Sequence, residues 1–219
     1  MCWSSESSRN AYIIGSVSSL ILMLFGDKVD KNIGLFFLVV AQMQLIEYFI
    51  WKDQECGEIN NIASKMILPE LTLQATAMIL GAYIFKSATI SKKTMNSLLF
   101  LTSIITVFII FTYLHSVKDV KLCSRKVHNK GIKWDLGNMN VIRQNDIISM
   151  LWKFFYYGCF FLFPLLWKSN VKKYIFLFSS ILSWLYIQYI NQITWESRWC
   201  YPASLIPIIY IILMLLQVN

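Results

Sequence analysis

Seven apolar runs, each close to the thickness of a bilayer, divide this chain of 219 residues. They fall at about 10–25, 33–51, 62–85, 98–114, 147–167, 174–190 and 199–218. A helix rises about 1.5 Å per residue, so about 20 apolar residues cross a hydrocarbon core about 30 Å thick. Inside hydrocarbon the backbone must satisfy its own N–H and C=O groups, which leaves helices or closed barrels. Runs of this length select helices. Composition agrees, with 57% hydrophobic and only 15% charged residues, where soluble domains carry about 25% charged. The first run is the shortest and carries Ser16, Ser18 and Ser19, so it is the weakest span. The expected fold is an all-α integral membrane protein, a single multi-pass domain of seven transmembrane helices.

An odd number of spans puts the two ends on opposite sides. Side A holds the N-terminus, the link near Lys52–Asn61, the long loop His115–Asp146 and the link Asn191–Arg198. Side B holds Gly26–Asn32, Lys86–Thr94, Lys168–Lys173 and the C-terminus. The basic residues give two opposed signals. Lys118, Lys121, Arg125, Lys126, Lys130, Lys133 and Arg143 crowd the long loop on side A, whereas Lys92, Lys93, Lys172 and Lys173 flank short links on side B. The positive-inside rule works best in short loops near helix ends, which favours side B as cytosolic. Cys2, Cys56, Cys123 and Cys200 all fall on side A. Disulfides belong to oxidising compartments, so these cysteines point the same way, with Cys56–Cys123 and Cys2–Cys200 as candidate pairs and unpaired thiols as the alternative. The favoured orientation has the N-terminus lumenal or extracellular and the C-terminus cytosolic.

The long loop has a pattern of its own. Two short alternating runs, Val120–Cys123 and Ile132–Leu136, flank His128-Asn129-Lys130-Gly131. Asn and Gly accept the positive φ of tight turns, so a small β-hairpin at about 120–137 is expected between the fourth and fifth helices. Its basic residues suit anionic headgroups. A solvated loop is the alternative.

Polar residues inside the spans are the strongest pointer to function, because an ionisable group in hydrocarbon costs about 2.5–3.5 kcal/mol. Gln44, Glu47 and Trp51 are spaced three and four apart on the second helix, and Glu70 and Gln74 are four apart on the third. Each set shares a helix face. Pro69 precedes Glu70, Lys153 lies in the fifth helix, and Glu196 stands at the mouth of the seventh. These groups gather in the half nearer side A, while the side B half offers hydroxyls such as Thr102, Thr106 and Ser180. The asymmetry predicts a polar pocket open to side A above an apolar floor. Lys153 would pair with Glu70 or Glu47, and Gln42 would point away. Interhelical hydrogen bonding without any ligand is the competing account of the same residues.

No His/Cys/Asp set has zinc spacing, and there is no phosphate-binding glycine loop and no Gly-x-Ser-x-Gly elbow. No metal, cofactor or nucleic acid is expected. Polarity confined to one half of the membrane disfavours a channel. The leading expectation is binding of a small ligand, a lipid headgroup or a membrane partner, the last including a second copy or a viral membrane protein. A lipid-modifying enzyme with Glu47 or Glu70 as general base is the second reading, with Ser64 or Ser197 as nucleophile if a base lies in reach. A structural component of a virion or host membrane is the third.

Four local motifs occur together: Met1-Cys2-Trp3-Ser4, Gln44-x-x-Glu47-Tyr48-x-x-Trp51, Gly131-Ile132-Lys133-Trp134, and Glu196-Ser197-Arg198-Trp199-Cys200. In this combination the chain resembles an uncharacterised family of multi-pass membrane proteins from giant (nucleocytoplasmic large) DNA viruses. That family's hairpin reads Gly-His-Leu-x-Trp, and here Ile132 stands at the His position. The resemblance implies a seven-helix fold in a host or virion membrane and lends no mechanism.

Overall fold

The computed structural model describes residues 4–127, 131–137, 147–190 and 194–217. Each of the first four helices begins at a side chain that accepts orphan backbone N–H groups or at a capped loop, as helix starts require. Ser4 accepts the Ser7 N–H and opens α1 (Ser5–Phe25). Asp27 accepts from Val29 and Asp30, and Asp30 answers by accepting the Asp27 N–H, a capping box that opens α2 (Lys28–Lys52). Asp53 accepts from Gly57 at 2.8 Å and Asn60 at 2.9 Å, which fixes the entry to α3 (Glu58–Phe85). Ser91 accepts from Thr94 and opens α4 (Lys92–Val117). Beyond the hairpin come α5 (Ile147–Tyr157), α6 (Asn170–Ile190) and α7 (Trp195–Leu215).

Among the described residues, six helical segments are long and apolar enough to cross a membrane: α1, α2, α3, α4, Ser149–Leu166 and α7. The pattern of burial agrees with lipid as the solvent. Phe100, Phe108 and Phe111 on α4 are 70%, 65% and 71% exposed, whereas Asn32, Gln44, Glu47 and Asn60 are fully buried. Apolar outside and polar inside inverts the arrangement of a soluble domain.

The fifth span is broken rather than the continuous helix expected over 147–167. α5 passes into a π turn at Gly158–Leu162 and then a 3-10 turn at Phe163–Leu166. Pro164 explains the break, because it offers no N–H and its ring crowds the carbonyl of Phe160. The closing turn pairs with the α3–α4 link: Thr89 N–H donates to Leu166 and Lys168 N–H to Ser87. These two links therefore meet at one end of the bundle, side B.

Glycines set how closely α1 can approach its neighbours. A Cβ on Gly34 would stand 2.6 Å from the Ser19 carbonyl oxygen, and one on Gly15 would stand 2.7 Å from that of Ser204. α1 is thus wedged against α2 and α7 backbone to backbone, the small-residue packing that holds helices together in lipid.

The hairpin is present, with β1 (Arg125–Val127) antiparallel to β2 (Gly131–Lys133) and Lys126 opposite Ile132. The turn residues 128–130 lie outside the described set. The first strand is Arg125–Val127 rather than Val120–Cys123, because the earlier residues are tied to helix ends. Leu122 N–H donates to Asn61, and Ser124 N–H donates to Asn60 and Ser64. The apolar residues of the second run reach inward. Ile132, Trp134 and Leu136 are buried in the bundle core.

The Cys56–Cys123 disulfide joins the α2–α3 link to the start of the hairpin, as one of the two expected pairings has it. The other pairing cannot be followed, because Cys2 lies outside the described residues; Cys200 is buried in α7. Cross-links of this kind contribute about 2–4 kcal/mol. Reduction is therefore expected to lower the melting temperature in detergent and to open Cys56 and Cys123 to maleimide. A Cys56→Ala/Cys123→Ala protein should melt at the reduced temperature with or without reductant.

Asp53 gives the same region an acid-sensitive step. The backbone N–H groups of Asn60 and Gly57 hold its carboxyl below the ordinary value. A depressed carboxyl stabilises the fold above its unfolded pKa, and that contribution is lost as pH falls through the folded value. Melting measured from about pH 5 down to about pH 2 should show an acid-linked loss that Asp53→Asn reduces.

Candidate functional site

Three polar clusters are buried in the bundle, and they do not form the single open pocket that the sequence suggests. The first is under the hairpin. Trp134 Nε1–H donates to Glu47 Oε1 at 3.1 Å, and Gln44 Nε2 approaches Glu47 Oε2 at 3.5 Å. Gln44 and Glu47 share a face as expected, but both are fully buried, and Trp134 covers them from side A. What was expected as a wall open to side A is an anchor for the hairpin. The physical reason is that a carboxyl in the bundle needs donors, and the indole supplies one without bringing in water. Trp51, the third residue of the expected wall, is half-buried, and its indole N–H has no partner.

Beside this anchor lies a hydroxyl–amide lock. Ser64 Oγ donates to Asn60, Ser124 Oγ is 2.8 Å from Ser64 Oγ, and Asn60 Nδ2 donates to the Asp53 and Ser124 carbonyls. Ser64 is fully buried among these groups. Its hydrogen-bond partners among the described residues are an amide, a hydroxyl and a backbone N–H, none of them a general base.

The second cluster runs between α3 and α5. Gln74 Nε2 donates to Glu70 Oε2 at 2.7 Å, and Tyr156 O–H donates to Gln74 Oε1 at 2.8 Å. One turn earlier Trp152 Nε1–H donates to Thr72, and its ring stacks on Tyr156. The expected Glu70–Gln74 pairing is present, and α5 meets it through Tyr156. Lys153 is half-buried on the same helix. Glu196 is the second residue of α7, with its side chain outside the described set.

Glu70 has a second face. Its other oxygen, Oε1, is buried and has no hydrogen-bond partner among the described residues. The side chain, in a residue only 5% exposed, lines a groove of about 500 Å³ between α2 and α3. The remaining walls are Leu35, Val39, Leu45 and Ile46 from α2, with Met66, Leu73, Thr76, Ala77 and Leu80 from α3, the Thr76 hydroxyl being hydrogen-bonded to Thr106. Gln42 stands in the groove too, with its amide donating to the Leu38 carbonyl. Pointing away from Gln44 and Glu47, as expected, thus brings it into the groove that Glu70 lines. No family model matches this chain, and no curated protein or solved structure matches it. The α2–α3 groove is therefore read from its own chemistry.

The third cluster contradicts the expectation of an apolar floor at side B. Lys172 Nζ donates to Asp27 Oδ2 at 2.6 Å and to Asp30 Oδ2 at 2.8 Å, with Lys172 and Asp30 almost wholly buried. Tyr210 O–H donates to the Lys172 carbonyl, and Asn32 Nδ2 donates to Ser87. α2 starts at its capping box, ahead of the apolar run, and so carries Asp30 and Asn32 into the bundle. The signal for this in the sequence is Asp27-x-x-Asp30, a helix-start pattern inside the side B link Gly26–Asn32.

Proposed function

We propose that this chain is a seven-helix integral membrane protein that takes a lipid from the bilayer into the groove between α2 and α3. The observation that carries the reading is Glu70. It is a recessed carboxyl with one oxygen held by Gln74 and the other without a partner among the described residues, in a groove whose other polar side chains, Gln42 and Thr76, are already hydrogen-bonded. A buried polar atom left unsatisfied costs about 1–3 kcal/mol, so an occupant that supplies the missing hydrogen bond gains affinity there. The volume lies within the range of about 300–1,000 Å³ typical of ligand clefts. The satisfied Glu47 anchor and the Lys172 clamp serve to hold the helices that form the groove. The Cys56–Cys123 disulfide supports the orientation with the hairpin lumenal or extracellular. The resemblance to giant-virus membrane proteins supports a virion or host membrane as its location.

A photoactivatable lipid with its reactive group on the acyl chain tests this in nanodiscs. Labelled peptides are expected from 35–46 and 66–80 in preference to the exposed face of α4 around Phe108. Leu73→Trp, which fills the groove, should lower the first labelling and leave the second unchanged. Equal labelling of both regions, indifferent to Leu73→Trp, would mean that the groove is ordinary lipid-facing surface.

A further inference from the structure

We infer that the occupant of the α2–α3 groove is an uncharged lipid alcohol, its hydroxyl hydrogen-bonded to Glu70 Oε1 and its chain running toward side B. This rests on the lipid-binding reading above and names the ligand's chemistry.

Depth is the first argument. Glu70 lies near the middle of α3 (Glu58–Phe85), roughly 18 Å along the axis from its side A end at 1.5 Å per residue. Half of a hydrocarbon core is about 15 Å. The phosphate of a phospholipid stays at the interface, because burying a charge is far more costly than burying a hydroxyl. A polar group that reaches Glu70 therefore belongs to a lipid without a charged headgroup.

The chemistry of Oε1 is the second. An ionised carboxyl oxygen needs a donor, whereas a protonated one needs an acceptor. An ammonium serves only the first and an ether or ester only the second. A hydroxyl serves both, so it completes the Glu70 shell in either state.

The shape of the groove is the third. Met66 marks its end one turn toward side A, while Leu73, Ala77 and Leu80 continue it roughly 15 Å toward side B. Leu35 and Val39 of the antiparallel α2 face that longer arm. Room for a chain thus lies on the side B side of Glu70.

The test compares two photoactivatable probes in nanodiscs holding the full chain: a long-chain alcohol and the alkane of the same length. The alcohol is expected to label 35–46 and 66–80 about tenfold more than the alkane, the factor for roughly one net hydrogen bond. Glu70→Gln keeps a carbonyl acceptor and an amide donor, and should retain the preference. Glu70→Leu should abolish it, with the two probes labelling alike. Unchanged melting and an intact Cys56–Cys123 disulfide would show that both variants are folded. Equal labelling by alcohol and alkane in the wild type overturns the alcohol and leaves the lipid groove standing. Labelling of neither groove segment, as when a partner helix fills it, overturns both.

Discussion

Lys172→Met is expected to destabilise this protein by about 3–5 kcal/mol, the range for removing one member of a buried ion pair. Among the described residues, Lys172 is the cation between Asp27 and Asp30, at 2.6 Å and 2.8 Å. Its loss leaves Asp30 buried opposite Asp27 with only the backbone N–H groups of the capping box to offset the repulsion. Burial works to raise the Asp27 carboxyl, but Lys172 and the N–H groups of Asp30 and Val29 outweigh it and hold it below the ordinary value. That contribution is present above the unfolded carboxyl pKa and is lost as pH falls through the depressed folded one. Removing Lys172 therefore costs most near neutral pH. Equilibrium unfolding in detergent at neutral pH measures it, and a change below about 1 kcal/mol would show the clamp to be incidental. The triple variant Asp27→Asn/Asp30→Asn/Lys172→Met should recover much of the loss, because it removes the unpaired charges along with their partner.

Gly34→Leu is the second large effect, expected at about 1–3 kcal/mol or more. Even the first side-chain atom would stand 2.6 Å from the Ser19 carbonyl oxygen and 2.8 Å from Met23 Cγ. The methionine can turn aside, but the backbone oxygen moves only if α1 moves as a whole. Gly34→Ala should show the same sign with a smaller size. The readout is melting in detergent together with proteolysis of α1. A Gly34→Leu protein as stable as the wild type would mean that α1 is not wedged against α2 as described.

The helices were legible because lipid imposes length and apolarity on every span, and both can be read residue by residue. The hairpin was legible for a similar reason, since Asn129 and Gly131 sit between two alternating runs. Its depth was not. Nothing in the order of residues says that Trp134 reaches Glu47, because the contact joins positions far apart in the chain. The same holds for Tyr156 and Gln74. Side B was misread for a different reason. An apolar run marks where a helix enters lipid, whereas a cap marks where it begins, and Asp27 and Asp30 stand between the two. Pro164 announced a break in the fifth span, but its form as a π turn followed by a 3-10 turn depends on packing. Helix periodicity did place Glu70 with Gln74. Only the packed structure shows that one oxygen of Glu70 is left over among the described residues and that its side chain lines a groove between α2 and α3.

The most direct measurement is density in that groove, from the protein imaged in nanodiscs made with native lipid extract. The account predicts one elongated, chain-like feature between Leu35, Val39, Leu73 and Ala77, with its polar end within hydrogen-bond distance of Glu70 Oε1. A groove closed by α2 and α3, or filled by the side chains of a neighbouring helix, would contradict it.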